Sequence, residues 1–296
     1  MEIGAAALIE IPQEARGVVS AKSLGELLAD DSLDLISLCS PRRADQAEDA
    51  IRCLAAGKHV YAEKPCALNE RDLDRILETA SRFDRSFRET AGTAFAQPWR
   101  AMRDAIAAGK IGGVAQVFAQ KSYPYHANRP DDEDIDGGLT LQAGIHAVRM
   151  IEQVSGLRLK TLSAREIQLA GFSRGGLRMA AELSGTLENG ALACALVNYL
   201  NPRGTGVWGN DHLRIFGTKG MIESVDGGTS ARLFAGVDLG MVVAQATPSL
   251  DYFLIYARSL LGAAEMLLPL EEEMHSLRML LRAKQALIAR PGGAHD

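Results

Sequence analysis

The sequence predicts an α/β fold in which a parallel sheet flanked by helices is followed by an α+β region with a mostly antiparallel sheet. Two observations lead to this prediction. Helix and strand patterns alternate along the first third of the chain, as expected of βαβ units. From about Val114 onward, six strand-like stretches follow one another with a single helical stretch among them, which is typical of an antiparallel sheet.

The first region contains three predicted helices and two predicted strands. Ser23 and Asn69 are candidate N-caps, and Gly57 is a candidate C-cap. Short runs rich in leucine and β-branched residues, bounded by turn residues, predict the strands. In chain order the elements are a helix at 23–29, a strand at 33–38, a helix at 44–56, a strand at 59–62 and a helix at 69–83.

The second region contains six predicted strands and three predicted helices. Its glycine-rich segment 204–209 matches G-x-G-x-x-G, but it lies between two strand patterns and no helix follows it. Because a pyrophosphate needs a helix N-terminus there, we interpret the segment as a hairpin connection. The strands are predicted at 114–122, 161–169, 177–187, 191–200, 212–216 and 221–225, and the helices at 139–154, 254–261 and 271–289.

Composition excludes several classes of protein. The formal net charge of -5 over 296 residues argues against a nucleic-acid partner, which needs a basic surface. No stretch is long and apolar enough to span a membrane, and Glu2 and Glu10 do not fit a signal peptide, so we expect a cytoplasmic protein. The four cysteines lack the spacing of a zinc site, and we expect no bound metal.

Candidate chemistry lies where the predicted strands of the parallel sheet end, because ligands bind outside the carboxyl ends of such strands. The two loops there are 40–43 and 63–65. The second loop carries Lys64, although an ordinary turn lysine paired with an acid fits the same pattern. On the predicted helix 139–154, Gln142 and His146 share one face. A histidine in such a place is also compatible with a purely structural role.

One further motif points to a different chemistry. The segment 171–175 matches G-x-S-x-G, so Ser173 with a later aspartate and His275 could form a serine hydrolase triad. A working nucleophile requires a strand-to-helix turn, whereas both flanks of this segment look like strands. We therefore expect a chance match.

Five segments, taken together, resemble one known family. The segment AGKHVYAEKP is highly specific, and the others add strength because they occur in the family's order and spacing. The resemblance covers about residues 20 to 230. The segments are 34–41 (DLISLCSP), 56–65 (AGKHVYAEKP), 108–112 (AGKIG), 137–146 (GGLTLQAGIH) and 213–220 (LRIFGTKG). They resemble the glucose–fructose oxidoreductase, inositol dehydrogenase and MocA (Gfo/Idh/MocA) family.

The resemblance implies a Rossmann-like domain over residues 1–92 and an α+β domain over 93–296 whose open sheet forms a homodimer or homotetramer. It also implies hydride transfer between NAD or NADP and a hydroxyl carbon of a sugar, inositol or similar polyol. By position, Ser40 and Pro41 would lie beside the cofactor and Glu63 would face its nicotinamide ribose. Lys64 would bind both the cofactor and the reacting hydroxyl, and His146 would accept the proton or assist the acceptor.

The sequence departs from the family in its substrate residues. Gln142 stands where the family usually has an aspartate, and glutamine cannot act as a base. The proton acceptor would then be His146, Lys64 or a residue of the strand that carries Lys121 and Tyr123. We expect Lys121, Tyr123, Gln142 and His146 to contact the substrate.

A second departure concerns the cofactor. The family's first strand, glycine turn, first helix and second strand have no counterpart in the sequence. We expect a chain shortened by a misplaced start, while supply of these parts by a dimer partner and loss of cofactor binding are the alternatives. The functional alternatives are therefore a non-catalytic binding or scaffolding relative, and an NAD-assisted glycoside hydrolase or lyase.

Overall fold

The computed structural model describes residues 23–126, 131–169, 175–236, 240–243 and 248–288. Its α-helices are α1 (Leu24–Leu28), α2 (Arg43–Ala55), α3 (Glu70–Arg82), α4 (Trp99–Ala107), α5 (Glu133–Asp136), α6 (Gly138–Gln142), α7 (Gly144–Arg149), α8 (Tyr252–Leu260) and α9 (Leu270–Ile288). The strands are β1 (Leu35–Leu38), β2 (His59–Ala62), β3 (Phe87–Glu89), β4 (Val114–Ser122), β5 (Leu159–Ile167), β6 (Ala180–Leu187), β7 (Leu192–Asn198), β8 (His212–Gly217), β9 (Gly220–Ser224), β10 (Arg232–Ala235) and β11 (Met241–Val242). Gly92–Phe95 and Arg203–Thr205 are 3₁₀ turns, and Met150–Val154 is a π-helical turn.

These elements form two compact units. The first consists of the described residues up to Thr90 together with Asp134–Asp136. The second consists of Ala91–Glu133 and of the described residues from Gly137 onward. Among the described residues, no helix has both the length and the apolar content that a membrane crossing requires.

The first unit contains a parallel sheet, as predicted, and the order of its strands is β1-β2-β3. Ile36 and Val60 are buried in neighbouring strands, and α2 and α3 pack against each other and against the sheet. The two predicted N-caps are confirmed: the Ser23 hydroxyl accepts a hydrogen bond from the Glu26 amide, and Asn69 caps α3 in the same manner. The C-cap of α2 is Ala56, and Gly57 follows it with a positive φ of 80°. The sequence patterns therefore locate α1 to α3 and the first two strands, but they missed β3.

The second unit contains an eight-stranded sheet in the order β11-β10-β9-β8-β4-β7-β6-β5. Every neighbouring pair is antiparallel except β4 and β7, which run parallel. The prediction of a mostly antiparallel sheet is therefore confirmed. The hairpin predicted at 204–209 is wrong, because β4 lies between β7 and β8. The glycine-rich segment instead crosses the end of β4.

Helices cover one face of this sheet. Helix α7 packs on β4 and β7, and α9 packs on β5 and α7. The covered face carries apolar side chains such as Val117 and Ile215, which are fully buried. On the opposite, open face, large apolar side chains are exposed on three strands, namely Ile167, Leu192, Leu196 and Phe216.

The helical stretch predicted at 139–154 is present but divided. Helix α6 ends at Gln142, α7 begins at Gly144, and the π-helical turn Met150–Val154 follows. A Cβ at Gly144 would lie 3.3 Å from the side chains of Leu183 and Leu280, so glycine permits close packing at the break. The sequence patterns did not predict α4, β10 or β11.

Candidate functional site

The first group of predicted site residues lies at the carboxyl edge of the parallel sheet. Ser40 and Pro41 follow β1, and Glu63 and Lys64 follow β2. Since β1 and β2 are parallel neighbours, with Leu38 opposite Ala62, both loops leave the sheet at the same edge. The peptide bond between Lys64 and Pro65 is cis.

A fully buried glutamine joins these two loops. The Gln46 side chain, on the first turn of α2, accepts hydrogen bonds from the Ser40 amide (3.2 Å) and from Arg43 Nη1 (2.9 Å). Its amide nitrogen donates to the carbonyl oxygens of Glu63 (2.5 Å) and Pro65 (3.0 Å). One side chain thus fixes both loops with four hydrogen bonds, and sequence reasoning did not single it out.

The side chains of this edge differ in how accessible they are. Ser40 is buried and its hydroxyl donates to the Asp49 carboxylate at 2.7 Å, whereas Pro41 is exposed. Lys64 is 9% exposed, and its Nζ lies 4.0 Å from Glu63 Oε1. The Glu63 side chain remains one-third exposed. A nearly buried ammonium next to an accessible carboxylate can bind hydroxyl groups of a polar ligand.

The second unit holds a separate group of predicted residues at the end of β4. Lys121 is buried, and its Nζ lies 2.8 Å from the Asp211 carboxylate at the start of β8. Burial raises the pKa of Asp211, against the opposing effect of the Lys121 charge. A Cβ at Gly209 would lie 2.7 Å from Lys121 Nζ, so glycine makes room for the ammonium. Asp211 therefore holds Lys121 in place, and no sequence pattern indicated it.

Lys121 and His146 both lie near Tyr123. Lys121 Nζ is 4.9 Å from the Tyr123 ring centroid, and the His146 ring packs edge-on to Tyr123 with centroids 6.3 Å apart. His146 Nδ1 is 3.4 Å from the Thr93 hydroxyl. The structure thus brings together three of the predicted residues of this unit, Lys121, Tyr123 and His146.

Gln142 and His146 are partly accessible in an otherwise buried segment. Between Gly137 and Met150 they alone are not buried. The face that the sequence predicts them to share is not that of one continuous helix, because α6 ends at Gln142 and α7 begins at Gly144. Buried neighbours such as Leu141 and Ile145 hold the segment against the sheet. Two polar side chains are therefore presented from a rigid support.

An aromatic cluster extends from Tyr123. The Trp208 ring centroid lies 6.1 Å from that of Tyr123 and 6.3 Å from that of His126. Trp208 belongs to the glycine-rich segment 204–209, which the sequence predicts to be a hairpin connection and not a binding element. No pattern in the sequence singles out this tryptophan, which follows Val207 and precedes Gly209.

The serine hydrolase triad suggested by the G-x-S-x-G match receives no support from the described residues. Gly171 to Ser173 lie outside them, and His275 Nδ1 bonds to the buried Glu152 carboxylate at 2.7 Å. Within the described ranges, no group of three histidine, cysteine or acidic side chains is arranged to hold a metal ion.

Two family models match the chain. One, described as the NAD-binding Rossmann fold of an oxidoreductase family, matches residues 4–89, and the GFO/IDH/MocA C-terminal domain matches residues 99–223. The chain is 28% identical to myo-inositol 2-dehydrogenase of Thermotoga maritima over 51% of this chain and 45% of that protein. It is 32% identical to dTDP-3,4-didehydro-2,6-dideoxy-alpha-D-glucose 3-reductase of Streptomyces violaceoruber over 42% of this chain and 38% of that protein. The matches thus span less than half the length of these curated relatives.

Solved structures resemble the chain over nearly its whole length. An oxidoreductase from Thermotoga maritima superposes with a TM-score of 0.84 at 22% identity, over 93% of this chain and 85% of that one. The aldose-aldose oxidoreductase of Caulobacter crescentus, complexed with glycerol, gives 0.76 at 17% identity, over 88% and 80%. At these identities the likeness establishes the fold.

Proposed function

We propose, from the premise that this chain belongs to the GFO/IDH/MocA oxidoreductase family, that it is an NAD(P)-dependent dehydrogenase. The reaction is hydride transfer between the cofactor and a hydroxyl-bearing carbon of a sugar, inositol or similar polyol. The observation that most directly supports this proposal is the nearly buried Lys64 beside Glu63, at the carboxyl end of β2. Myo-inositol 2-dehydrogenase and the sugar reductase among its relatives support the substrate class.

We propose that the carboxyl edge of the first unit binds the nicotinamide ring and its ribose. Glu63 offers an accessible carboxylate to ribose hydroxyl groups, and the exposed Pro41 gives an apolar surface beside it. Ser40 contributes through the backbone of its loop, because its hydroxyl is already bonded to Asp49. When bound, the cofactor accepts or donates the hydride.

The chain's own residues would handle the hydroxyl proton. Hydride removal from an alcohol requires a group within hydrogen-bond reach of the hydroxyl to take up the proton. We propose that Lys64 binds that hydroxyl and that His146 accepts the proton or orients the acceptor. Lys121, Tyr123 and Gln142 would bind other hydroxyls of the substrate, with Asp211 fixing Lys121.

We also propose a division of roles and an assembly. The first unit would bind the cofactor, and the second would bind the substrate and form a homodimer or homotetramer. Exposed leucine and phenylalanine side chains on the open face of the sheet support the assembly, since apolar side chains exposed on one face are found at protein contacts. The cytoplasmic location stays a prediction.

Turnover by a Lys64→Met variant tests the proposed reaction. We expect a panel of sugars and inositols to be oxidised by the unaltered protein with NAD or NADP, and K64M to lose at least about a hundredfold in turnover. Methionine preserves the bulk of the buried side chain, so the melting temperature should change little. Lys110→Met, at an exposed turn lysine, is the matched control.

Three outcomes separate this proposal from its alternatives. Retained turnover in K64M contradicts the role of Lys64. Absence of NADH or NADPH binding below about millimolar levels in a fluorescence titration contradicts the dehydrogenase and favours a non-catalytic binding protein. Release of a leaving group without net cofactor reduction favours an NAD-assisted hydrolase or lyase.

A further inference from the structure

Trp208 is exposed although tryptophan side chains are generally well buried. The exposed fraction of Trp208 is 62%, whereas the chain's other tryptophan, Trp99, is 4% exposed. The indole lies near two aromatic neighbours, Tyr123 and His126. A large apolar surface is therefore presented outward at the end of β4.

The loop that carries this indole is held in one conformation by a buried asparagine. Asn201 is 5% exposed, and its Nδ2 donates to the Val207 carbonyl at 2.7 Å. Its Oδ1 accepts from Asn210 Nδ2 at 3.1 Å. On the other side of Trp208 along the chain, the Gly209 carbonyl accepts from the Ser122 amide at 3.0 Å. The backbone on both sides of Trp208 is thus held by hydrogen bonds before any ligand arrives, which lowers the entropy cost of binding.

Trp208 forms one wall of a cavity of about 470 Å³. Pro124 and Val207 add apolar surface, while His126 and Arg203 supply polar groups. In the part of the chain that the structure describes, the Arg203 guanidinium has no ion-pair partner. Small-molecule sites combine such apolar and aromatic walls with a few polar groups, at volumes of roughly 300–1,000 Å³.

We propose that this cavity binds a second sugar ring of the substrate, which stacks on Trp208. The carbon–hydrogen face of a pyranose is apolar and flat, so it can pack on an indole, while its hydroxyl edge needs polar partners such as Arg203 and His126. This inference rests on the proposed function, because it makes the substrate a saccharide of at least two rings or a glycoside.

Tyr123 connects this cavity with the residues assigned to the first ring. The centroid of its ring lies 6.1 Å from that of Trp208 and 6.3 Å from that of His146. Lys121 lies over the same ring at 4.9 Å. If the first ring of a saccharide lies near Lys121 and His146, its second ring can therefore contact Trp208 in the same aromatic cluster.

Saccharide binding can be measured without turnover. Trp208 is the exposed one of two tryptophans, so titration with cellobiose, maltose or lactose should change its fluorescence. We expect Trp208→Phe to abolish this signal, since only the buried Trp99 remains. By calorimetry, Trp208→Ala should weaken disaccharide binding at least about tenfold. Phe83→Ala, which removes an exposed aromatic side chain of the first unit, is the matched control and should bind as the unaltered protein does.

The results distinguish failure of this inference from failure of the proposed function. Equal disaccharide affinity in W208A and the unaltered protein overturns the second-ring site, whether or not any sugar is oxidised. Absence of disaccharide binding by the unaltered protein also overturns it. A smaller oligomer mass of W208A in sedimentation, with unchanged sugar affinity, overturns it as well and would make Trp208 a contact between copies. If turnover is found, W208A should lower the ratio of kcat/KM for disaccharides to kcat/KM for monosaccharides. Binding that depends on Trp208 without any redox turnover would uphold the site and contradict the dehydrogenase.

Discussion

Replacing Gln46 with methionine should destabilise the first unit by removing the side chain that joins its two edge loops. Methionine has a similar length and volume, so the substitution leaves no large cavity. It does eliminate all four hydrogen bonds of the glutamine amide. The partner groups that are fully buried then lose these bonds without a replacement from water.

The expected loss follows from the burial of each partner. The Arg43 guanidinium is partly exposed and can bind water instead, so its contribution is small. The Ser40 amide and the Pro65 carbonyl make fully buried bonds, and the Glu63 carbonyl a partly buried one. A buried group left unsatisfied costs about 1–3 kcal/mol. Taking the lower part of that range for each of three groups gives a total of about 3 kcal/mol.

Urea unfolding followed by circular dichroism measures this loss. With a slope of about 2 kcal/mol/M, the midpoint of the transition that includes the first unit should fall by about 1.5 M. Glu48→Met, on the same helix, is the control. It removes an exposed ion pair with Arg75 and should cost less than about 1 kcal/mol. If Q46M and E48M are equally stable, the four-bond connection does not hold the loops as described.

Two further substitutions test the second unit. Burial acts to raise the pKa of Asp226, but hydrogen bonds from the Ser230 hydroxyl and from the Thr229 and Ser230 amides outweigh it and hold this pKa well below the usual range. The ionised form of Asp226 therefore stabilises the fold above about pH 4, and this stability is lost on acidification. Because Asp226 is exposed, screening by solvent keeps the contribution small. The stability difference between the unaltered protein and Asp226→Asn, about 1 kcal/mol at pH 7, should shrink from pH 6 to pH 2, and parallel pH profiles would contradict it. Gly185→Ala would place a Cβ 1.9 Å from the Thr161 carbonyl oxygen and should cost about 3 kcal/mol in urea unfolding. Gly176→Ala, with nothing within 4 Å, is its control, and equal stability of the two variants would refute the β5–β6 register.

Local patterns predicted the elements whose cause is local. Asn69 and Ser23 begin helices through their own side chains, and the alternation of helix and strand fixes a parallel sheet because the connections are too long for hairpins. The three-residue β3 and the two-residue β11 are too short to show a periodicity. The parallel pairing of β4 with β7 depends on contacts far apart in the sequence, which no local pattern records.

The residues of the candidate site also fall into two groups, those with a local signal in the sequence and those without one. Lys64, Glu63 and His146 were found because they lie in a motif with a fixed position relative to a strand or helix. Gln46 was overlooked, although its spacing from Ala50 and Cys53 places it on the buried face of α2, where a polar side chain needs partners. Asp211 and Trp208 could not have been assigned, since their roles arise from the crossing of β4 by the segment between β7 and β8.

The central place of β4 has a consequence for how the chain is made. Both of its neighbours, β7 and β8, are translated well after it, with β5 and β6 in between. During synthesis the strand therefore emerges from the ribosome with its backbone groups and apolar side chains, such as Val117 and Ala119, still uncovered. An early strand that waits for late partners favours slow folding and aggregation of nascent chains. Chaperone demand during translation should accordingly be highest between the release of β4 and the arrival of β8.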